Sequence, residues 1–242
     1  MSQPPTNSSP STMQQGNALV NTHKVPSFQP AFFDPSTSSL QAQPVSSGGR
    51  QAAWFVQLPN AVQGVLRHYR RGGLIAKLIR DQYLWTGAQR TRSWAEYQVM
   101  QYLCQQLDCV PAPLAATYQR QGLWYRAAII VERIPASQPL ADCLSDADPV
   151  AVAKAVLAMH NAGVWHADLN AYNVLLDQRK RVWLIDFDRS RILTMSEKQR
   201  QNNLLRLRRS LVKVHGDKGL AWWSDFNRAY LQHHKPMKPN CD

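Results

Sequence analysis

The stretch that decides the fold is HADLNAYN at residues 166–173, which is followed by VWLIDFD at residues 182–188. Two short apolar runs flank the polar residues 177–181 and predict a β-hairpin. In an antiparallel hairpin, the residue that enters the first strand lies beside the residue that leaves the second. We therefore expect Asn173 and Asp186 to lie close together.

A helix is predicted just upstream of this stretch. Asp148 supplies an N-cap acid, Pro149 suits the first helical position, and Gly163 suits the helix end. The helix is expected to end before the apolar pair Val164 and Trp165. Asp168 therefore falls on a loop between a helix and a strand. Side chains on loops that rigid elements hold are free to meet a substrate.

The residue types around the hairpin favour phosphoryl transfer. Mg²⁺ takes hard oxygen ligands together with substrate phosphates, which suits the Asp186 carboxylate and the Asn173 amide oxygen. Asp168 is placed to orient an acceptor hydroxyl and take its proton, whereas His166 is expected to brace the loop. The alternative is that these acids and amides only cap turns or end a strand. The joint pattern of loop, hairpin and D-F-x favours chemistry over that alternative.

These motifs resemble the 3-deoxy-D-manno-octulosonic acid (Kdo) kinase family of Gram-negative bacteria, which is related to the protein-kinase-like lipopolysaccharide core kinases. The resemblance extends from about Gly48 to the last helices. It implies an α+β, protein-kinase-like bilobal fold, with a small mixed N-terminal lobe at 46–134 and a mainly helical C-terminal lobe at 135–242. The segments that carry it include HADLNAYNVLLD at 166–177, VWLIDFD at 182–188, VLRHYRRGG at 65–73 and ERIP at 132–135.

The resemblance implies transfer of the ATP γ-phosphate to the 4-hydroxyl of a Kdo sugar on a Kdo-lipid A acceptor, in lipopolysaccharide inner-core biosynthesis. By position, Asp168 resembles the catalytic base, and Asn173 and Asp186 resemble ligands of Mg²⁺ or Mn²⁺. Glu96 resembles the acid that pairs with a phosphate-binding base. Protein kinases use lysine for that base, and Arg67 stands at its place. Arginine stays charged and grips phosphate bidentately, although Arg67 also fits an exposed strand residue.

Two residues of the motifs depart from the protein-kinase pattern. Asn170 stands where a serine/threonine protein kinase carries lysine, so the charge that helps bind the transferring phosphate must come from elsewhere. The candidates are Arg67, Arg70 and Arg71. Asp188 replaces the glycine of D-F-G, which removes the residue best suited to positive φ. We therefore do not expect this loop to flip.

The first 45 residues differ in composition from the rest of the chain. They are rich in Ser, Pro, Gln, Thr and Asn, with two charged residues, which predicts a mostly irregular segment. A group of aromatic residues, Phe28, Phe32 and Phe33, is expected to dock on the following lobe. Gly48 and Gly49 are the candidate phosphate loop, and an ordinary flexible turn is the alternative.

The N-terminal lobe is predicted to contain strands near 53–58 and 63–70, a helix that carries Glu96 to about Leu107, and strands near 114–119 and 123–131. The sequence is 44% hydrophobic, which is enough to build a core. No secretory signal and no apolar run of membrane-spanning length is evident. Four cysteines without a metal-ligand pattern fit reduced thiols, so we expect a cytoplasmic location.

The net charge of +12 calls for an anionic partner. The basic residues between Arg67 and Arg92 suit three anionic partners: ATP, the carboxylate and phosphates of a lipid A acceptor, or the anionic inner leaflet. A second basic group lies beside the apolar helical face of 204–214. Together they motivate peripheral association with the cytoplasmic face of the inner membrane. For the second group, the alternative is a core-packed helix with a solvated basic flank. Nucleic-acid binding is not expected, because no DNA- or RNA-binding motif accompanies the charge.

Two alternatives to a Kdo kinase remain open from the sequence. One is a kinase that acts on another hydroxylated substrate, such as a heptose or an aminoglycoside. The other is a catalytically weak, kinase-shaped binding protein at the cell envelope.

Overall fold

The computed structural model describes residues 12–45, 53–70 and 81–234. The chain divides into two compact units: Met1–Gln105 with Ala112–Arg133, and Gln106–Pro111 with Ile134–Asp242. The lobe bounds of 46–134 and 135–242 stay predictions. Gly48, Gly49 and Arg71 lie outside the described residues, so the phosphate loop stays a prediction.

The first unit is built on an antiparallel sheet, and its described residues include one α-helix. Its elements are β1 Thr12–Gln15, β2 Ala18–Asn21, β3 Gln43–Pro44, β4 Ala53–Gln57, β5 Gln63–His68, β6 Tyr83–Leu84, α1 Arg92–Cys104, β7 Pro113–Gln121 and β8 Trp124–Glu132. The strands follow the order β1-β2-β7-β8-β5-β4-β3, and β6 also pairs with β8. The positions of β4, β5, β7, β8 and α1 confirm the segments that the sequence predicts.

The centre of this sheet is the long hairpin of β7 and β8. Its turn needs positive φ, which Gly122 adopts at +59°. Strand β8 is buried on both sides of its middle because Ile129 and Ile130 point to opposite faces, and neither is solvent-exposed. Leu66 of β5 pairs with Ile130 and is equally buried. The hairpin therefore anchors β5, which carries Arg67.

Residues 12–45 add strands and aromatic side chains to the core of the first unit. Strand β2 pairs with β7 in the register Val20↔Ala115, and the Val20 side chain is fully buried. Phe32 and Phe33 pack into the same core, which confirms that the aromatic group docks. Residues 12–45 contain three short strands and two short 3₁₀ helices, which turns and irregular segments connect. Strands this short carry too few apolar residues to stand out from a polar composition.

The second unit combines two longer helices with short strands. Helix α2 begins and ends as the sequence predicts, because the Asp148 carboxylate accepts a hydrogen bond from the Val150 amide and Gly163 follows the helix with φ +75°. Strands β11 and β12 form the predicted hairpin, with Val174 opposite Leu184. The elements are β9 Gln138–Pro139, α2 Pro149–Asn161, β10 Val164–Trp165, β11 Val174–Leu176, β12 Val182–Leu184, β13 Arg191–Ile192 and α3 Glu197–His233.

Helix α3 is capped at its start and broken in its middle. Ser196 and Gln199 form a capping box at the N-terminus. The helical conformation is interrupted at Gly216, with φ +56° and ψ −129°. Just beyond it, a Cβ atom on Gly219 would stand 2.3 Å from the Leu211 carbonyl oxygen, so only glycine allows this close approach. No helix in the described parts of the chain is long and apolar enough to cross a bilayer.

Candidate active site in the second unit

The β11–β12 hairpin brings Asn173 and Asp186 to one pocket of the second unit. The Ile185 amide donates a hydrogen bond of 3.1 Å to the Asn173 carbonyl oxygen, which continues the ladder one residue past the strands. Asp186 follows directly and lines the same pocket, as does Asp168 from the preceding loop. The three residues that the sequence singles out for chemistry are therefore gathered in one place.

The backbone at Asp186 adopts an uncommon conformation. Its φ is +62°, a region that residues other than glycine rarely occupy and that clusters at functional sites. The next side chain, Phe187, is fully buried and packs on the His166 ring at 4.9 Å between centroids. Asp188 is half-buried, and positive φ recurs at Arg189. Positive φ therefore occurs at Asp186, before Asp188, and at Arg189, after it. Asp188 itself occupies the position of the glycine in D-F-G.

The buried His166 ring connects the loop to the hairpin. Its Nε2–H donates to the Ile185 carbonyl oxygen at 3.0 Å, while Nδ1 accepts from the Asp168 amide at 3.1 Å. Burial lowers the pKa of His166, which favours the neutral ring that these two bonds require. The imidazole therefore fixes the Asp168 backbone relative to the residue before Asp186, as expected of a brace.

The Asp168 side chain points into the open pocket, while its backbone is held on the loop. The Asp168 carbonyl oxygen accepts hydrogen bonds from Asn173 Nδ2 at 2.9 Å and from Asn170 Nδ2 at 3.1 Å. Asn170 also accepts a bond from the Tyr172 amide, so it closes the turn. The Asp168 carboxylate is 56% exposed and accepts a hydrogen bond from Arg206 Nη1 at 3.1 Å. The carboxylate is accessible to a substrate.

The donor set of the pocket suits a hard divalent cation. The Asn173 NH₂ group donates a hydrogen bond to the Asp168 carbonyl oxygen, so the amide oxygen is the side chain's remaining polar atom. With the Asp186 carboxylate it provides two hard oxygen donors, which matches the way Mg²⁺ shares its sphere with waters and substrate phosphates. Among the described residues, no group of three or more His, Cys, Asp and Glu side chains is arranged to hold a metal ion.

In the first unit, the partly buried Arg67 forms an ion pair with the buried Glu96. Arg67 Nη2 donates to both carboxylate oxygens of Glu96 at 2.5 Å, and the Glu96 side chain is 1% exposed. The Tyr69 hydroxyl also donates to Glu96. The guanidinium carbon of Arg67 lies 5.3 Å from the centre of the Tyr69 ring. The structure thus pairs the two residues that the sequence pairs, and Arg67 is not the exposed strand residue of the alternative.

Helix α3 supplies three cations to the pocket that the sequence did not assign to the site. Arg206, Arg209 and Lys213 line it, beside the loop acids. The sequence placed them on a basic flank of the helix but did not show what that flank faces. Arg70, a sequence candidate for phosphate binding, is an exposed residue of the first unit. The shared helical spacing of the three α3 cations was the signal that could have identified them.

Asn203 is a second residue that the sequence did not reveal. This buried side chain donates from Nδ2 to the His166 carbonyl oxygen at 2.8 Å and accepts from the His166 amide at 3.1 Å. Its Oδ1 also accepts from His160 Nε2 at 3.2 Å, and His160 Nδ1 accepts from the Tyr230 hydroxyl at 2.8 Å. Helix α3 therefore holds the start of the loop at residues 166–173, the candidate catalytic loop, through a buried hydrogen-bond network.

Comparisons with known proteins agree with these features. The model of the lipopolysaccharide kinase (Kdo/WaaP) family matches residues 36–230. The chain is 44% identical over 221 residues to a protein named 3-deoxy-D-manno-octulosonic acid kinase from Stenotrophomonas maltophilia (strain R551-3), with 90% of this chain and 87% of that protein covered. A protein of the same name from Xylella fastidiosa (strain M23) is 41% identical over 220 residues, with 89% and 88% covered.

Proposed function

This chain belongs to the lipopolysaccharide kinase (Kdo/WaaP) family, and we propose that it is a 3-deoxy-D-manno-octulosonic acid kinase. In this proposal it transfers the γ-phosphate of ATP to the 4-hydroxyl of a Kdo sugar on a Kdo-lipid A acceptor, in the inner core of lipopolysaccharide. The observation that carries the proposal is the meeting of Asp168, Asn173 and Asp186 at one pocket. A base and two hard oxygen donors are the parts that this chemistry needs.

In the proposed reaction, the Asp168 carboxylate orients the acceptor hydroxyl and receives its proton. The hydroxyl oxygen forms a bond to the γ-phosphorus as the bond to the β–γ bridging oxygen breaks, and ADP leaves. Arg206 holds the carboxylate through its 3.1 Å contact, and His166 holds the backbone beneath it. Pre-set orientation of this kind lowers the barrier, because little rearrangement remains at the moment of transfer.

Asn173 and Asp186 are the residues proposed to hold Mg²⁺ or Mn²⁺, which would offset the negative charge of the nucleotide phosphates. The Asn173 amide group is oriented by its hydrogen bond to the Asp168 carbonyl oxygen. This bond therefore positions the proposed base and one proposed cation ligand relative to each other. Arg67 is proposed to bind nucleotide phosphate, with the buried Glu96 fixing its direction.

The decisive experiment combines the purified protein with ³²P-labelled ATP, Mg²⁺ and Kdo-lipid A. We expect labelled acceptor, a mass increase of one phosphate, and an NMR shift at carbon 4 of the sugar. A heptose-containing acceptor and an aminoglycoside serve as competing substrates. Faster transfer to either of these would favour the alternative kinase, and ATP binding without transfer to any acceptor would favour a kinase-shaped binding protein.

We also propose that the two units correspond to the lobes of a protein-kinase-like fold, and that the protein works on the cytoplasmic face of the inner membrane as a peripheral protein. The first part is supported by the antiparallel sheet and the α-helix described in the first unit, and by the helices of the second unit. The net charge of +12 supports the second part, because anionic lipid surfaces attract basic proteins.

A further inference from the structure

Helix α3 presents a row of cations to the pocket that contains Asp168. Arg206, Arg209 and Lys213 follow the i, i+3, i+7 spacing of one helical face, and all three line the pocket. The neighbouring face is fixed by Leu207 and Leu211, which are fully buried. The direction of the row is therefore set by core packing.

The cations of this row repel one another. Arg209 and Lys213 are four residues apart, and like charges at this spacing destabilise a helix. The positive charge of Arg206 is offset by its ion pair with the Asp168 carboxylate. Neither Arg209 nor Lys213 forms an ion pair with an acid of residues 12–45, 53–70 and 81–234. The charged side chains that line the pocket are three cations, Arg206, Arg209 and Lys213, and two acids, Asp168 and Asp186, so the lining carries an excess of positive charge.

The helix that carries the row is held against the loop at residues 166–173. Ser210 lies on the same helical face, and its hydroxyl accepts a hydrogen bond of 3.1 Å from the Ala171 amide. Arg206 contacts Asp168 three residues earlier in the loop. These contacts set where Arg209 and Lys213 start from the helix, and their exposed side chains reach into the pocket from there.

The neighbours of the row suit a sugar better than a second nucleotide phosphate. Tyr172 and Val214 line the same pocket and are partly exposed, so they offer an aromatic and an aliphatic surface to the C–H groups of a sugar ring. Asp168, which is proposed to take the proton of the acceptor, is part of the same lining.

We infer that Arg209 and Lys213 bind an anionic oxygen group of the acceptor, and that this group is the carboxylate of the sugar that receives the phosphate. The inference rests on the proposed function. It makes the α3 row the feature that selects an acidic sugar. The same chemistry could be met by a phosphate of lipid A, so the test separates the two sources.

The test uses the full chain with detergent-solubilised Kdo-lipid A, in its natural form and with the sugar carboxylate converted to a neutral amide. Wild type is compared with the Arg209→Gln/Lys213→Gln double variant. Arg208→Gln is the matched control, because Arg208 is an exposed cation of the same helix outside the pocket lining. The readouts are kcat, KM for the acceptor and KM for ATP, together with thermal unfolding of each variant.

We expect the double variant to raise the KM for the natural acceptor by about tenfold or more, which is the size of a lost charge-assisted contact. The KM for ATP should be little changed, and Arg208→Gln should behave as wild type. The amide acceptor should show a raised KM with wild type and no further rise with the double variant.

Three results would overturn the inference while leaving the proposed function intact. These are an unchanged acceptor KM, a rise in the KM for ATP instead, or equal sensitivity of the natural and amide acceptors to the double variant. The last of these would assign the row to a lipid A phosphate. Absence of transfer by the wild type to natural Kdo-lipid A would refute the proposed function itself.

Discussion

At the scale of single residues, the proposed chemistry depends most on Asp168. Its side chain is more than half exposed and makes one surface ion pair, which contributes about 0–1 kcal/mol to stability. Removing the carboxylate should therefore affect the reaction far more than the fold.

We expect Asp168→Asn to lower kcat by about 10²–10⁴-fold, the usual contribution of a positioned base. The KM for ATP and the free energy of unfolding should be little changed. Steady-state kinetics, nucleotide titration and urea unfolding measure these quantities. Asp186→Asn is the comparison variant, since it should also weaken metal-nucleotide binding. Wild-type turnover in Asp168→Asn would end the assignment of the base.

Arg67 differs from Asp168 because its partner is buried. Arg67→Met leaves the Glu96 carboxylate without its guanidinium in a buried place, so we expect a loss of about 3–5 kcal/mol in unfolding free energy and a raised KM for ATP. Arg67→Lys keeps a charge at this place and should lose less of both. Chemical unfolding and nucleotide titration report the two effects.

Arg126→Met provides the control for Arg67. It breaks an exposed ion pair with Asp81, which should cost about 1 kcal/mol or less. If Arg67→Met were as mild as this control, the Arg67–Glu96 pair would be an ordinary surface contact.

At the scale of elements, the buried network between α2 and α3 should make stability depend on pH. Burial lowers the pKa of His160 to about 3, from an ordinary value of 6.5. The unfolded histidine therefore takes up a proton near pH 6.5, whereas the folded one does so only near pH 3. Its contribution to stability is present above pH 6.5 and is lost as the pH falls toward 3.

From these values, wild type should lose about 2 kcal/mol more unfolding free energy than His160→Gln when the pH falls from 7 to 5. Urea unfolding at the two pH values measures the difference. His166 is unchanged in both proteins, so its own lowered pKa cancels in the comparison. Parallel losses in the two proteins would show that His160 does not control this dependence.

The elements also show what the sequence could and could not predict. Capping at Asp148, the glycine after α2 and the polar turn of the hairpin are local signals, so the helix bounds and the meeting of Asn173 with Asp186 could be predicted. The contacts of α3 join residues 37 to 39 positions apart, such as Asn203 with His166. Which loop a basic helical face will meet depends on packing that local periodicity does not encode.

At the scale of the whole molecule, the N-terminal strands matter for the stability of the first unit. Removing residues 1–21 would strip β2 from the edge of β7 and expose core around Val20. We expect a loss of about 2–5 kcal/mol in unfolding free energy, from the lost apolar burial and strand pairing. Removal of residues 1–11 is the matched comparison, because it leaves both strands in place. Equal stability of the two truncated proteins would contradict the role of β2.

The basic charge of the molecule underlies the proposed membrane association. We expect flotation with anionic vesicles at low ionic strength, little flotation with zwitterionic vesicles, and release as salt is raised, because screening weakens the attraction. The measurement is a flotation series over salt for both vesicle types. Binding that ignores salt, or no binding to anionic vesicles, would count against a peripheral location based on charge.

The first half of α3 has a consequence for how this chain can vary in evolution. One face of this helix runs alongside the loop at residues 166–173. It makes three contacts with the loop: Asn203 with His166, Arg206 with Asp168, and Ser210 with Ala171. One inserted or deleted residue would turn every later side chain by about 100° around the helix axis. Between Asn203 and Lys213 we therefore expect homologous proteins to show no change in length, with substitutions at the positions that contact neither the loop nor the pocket.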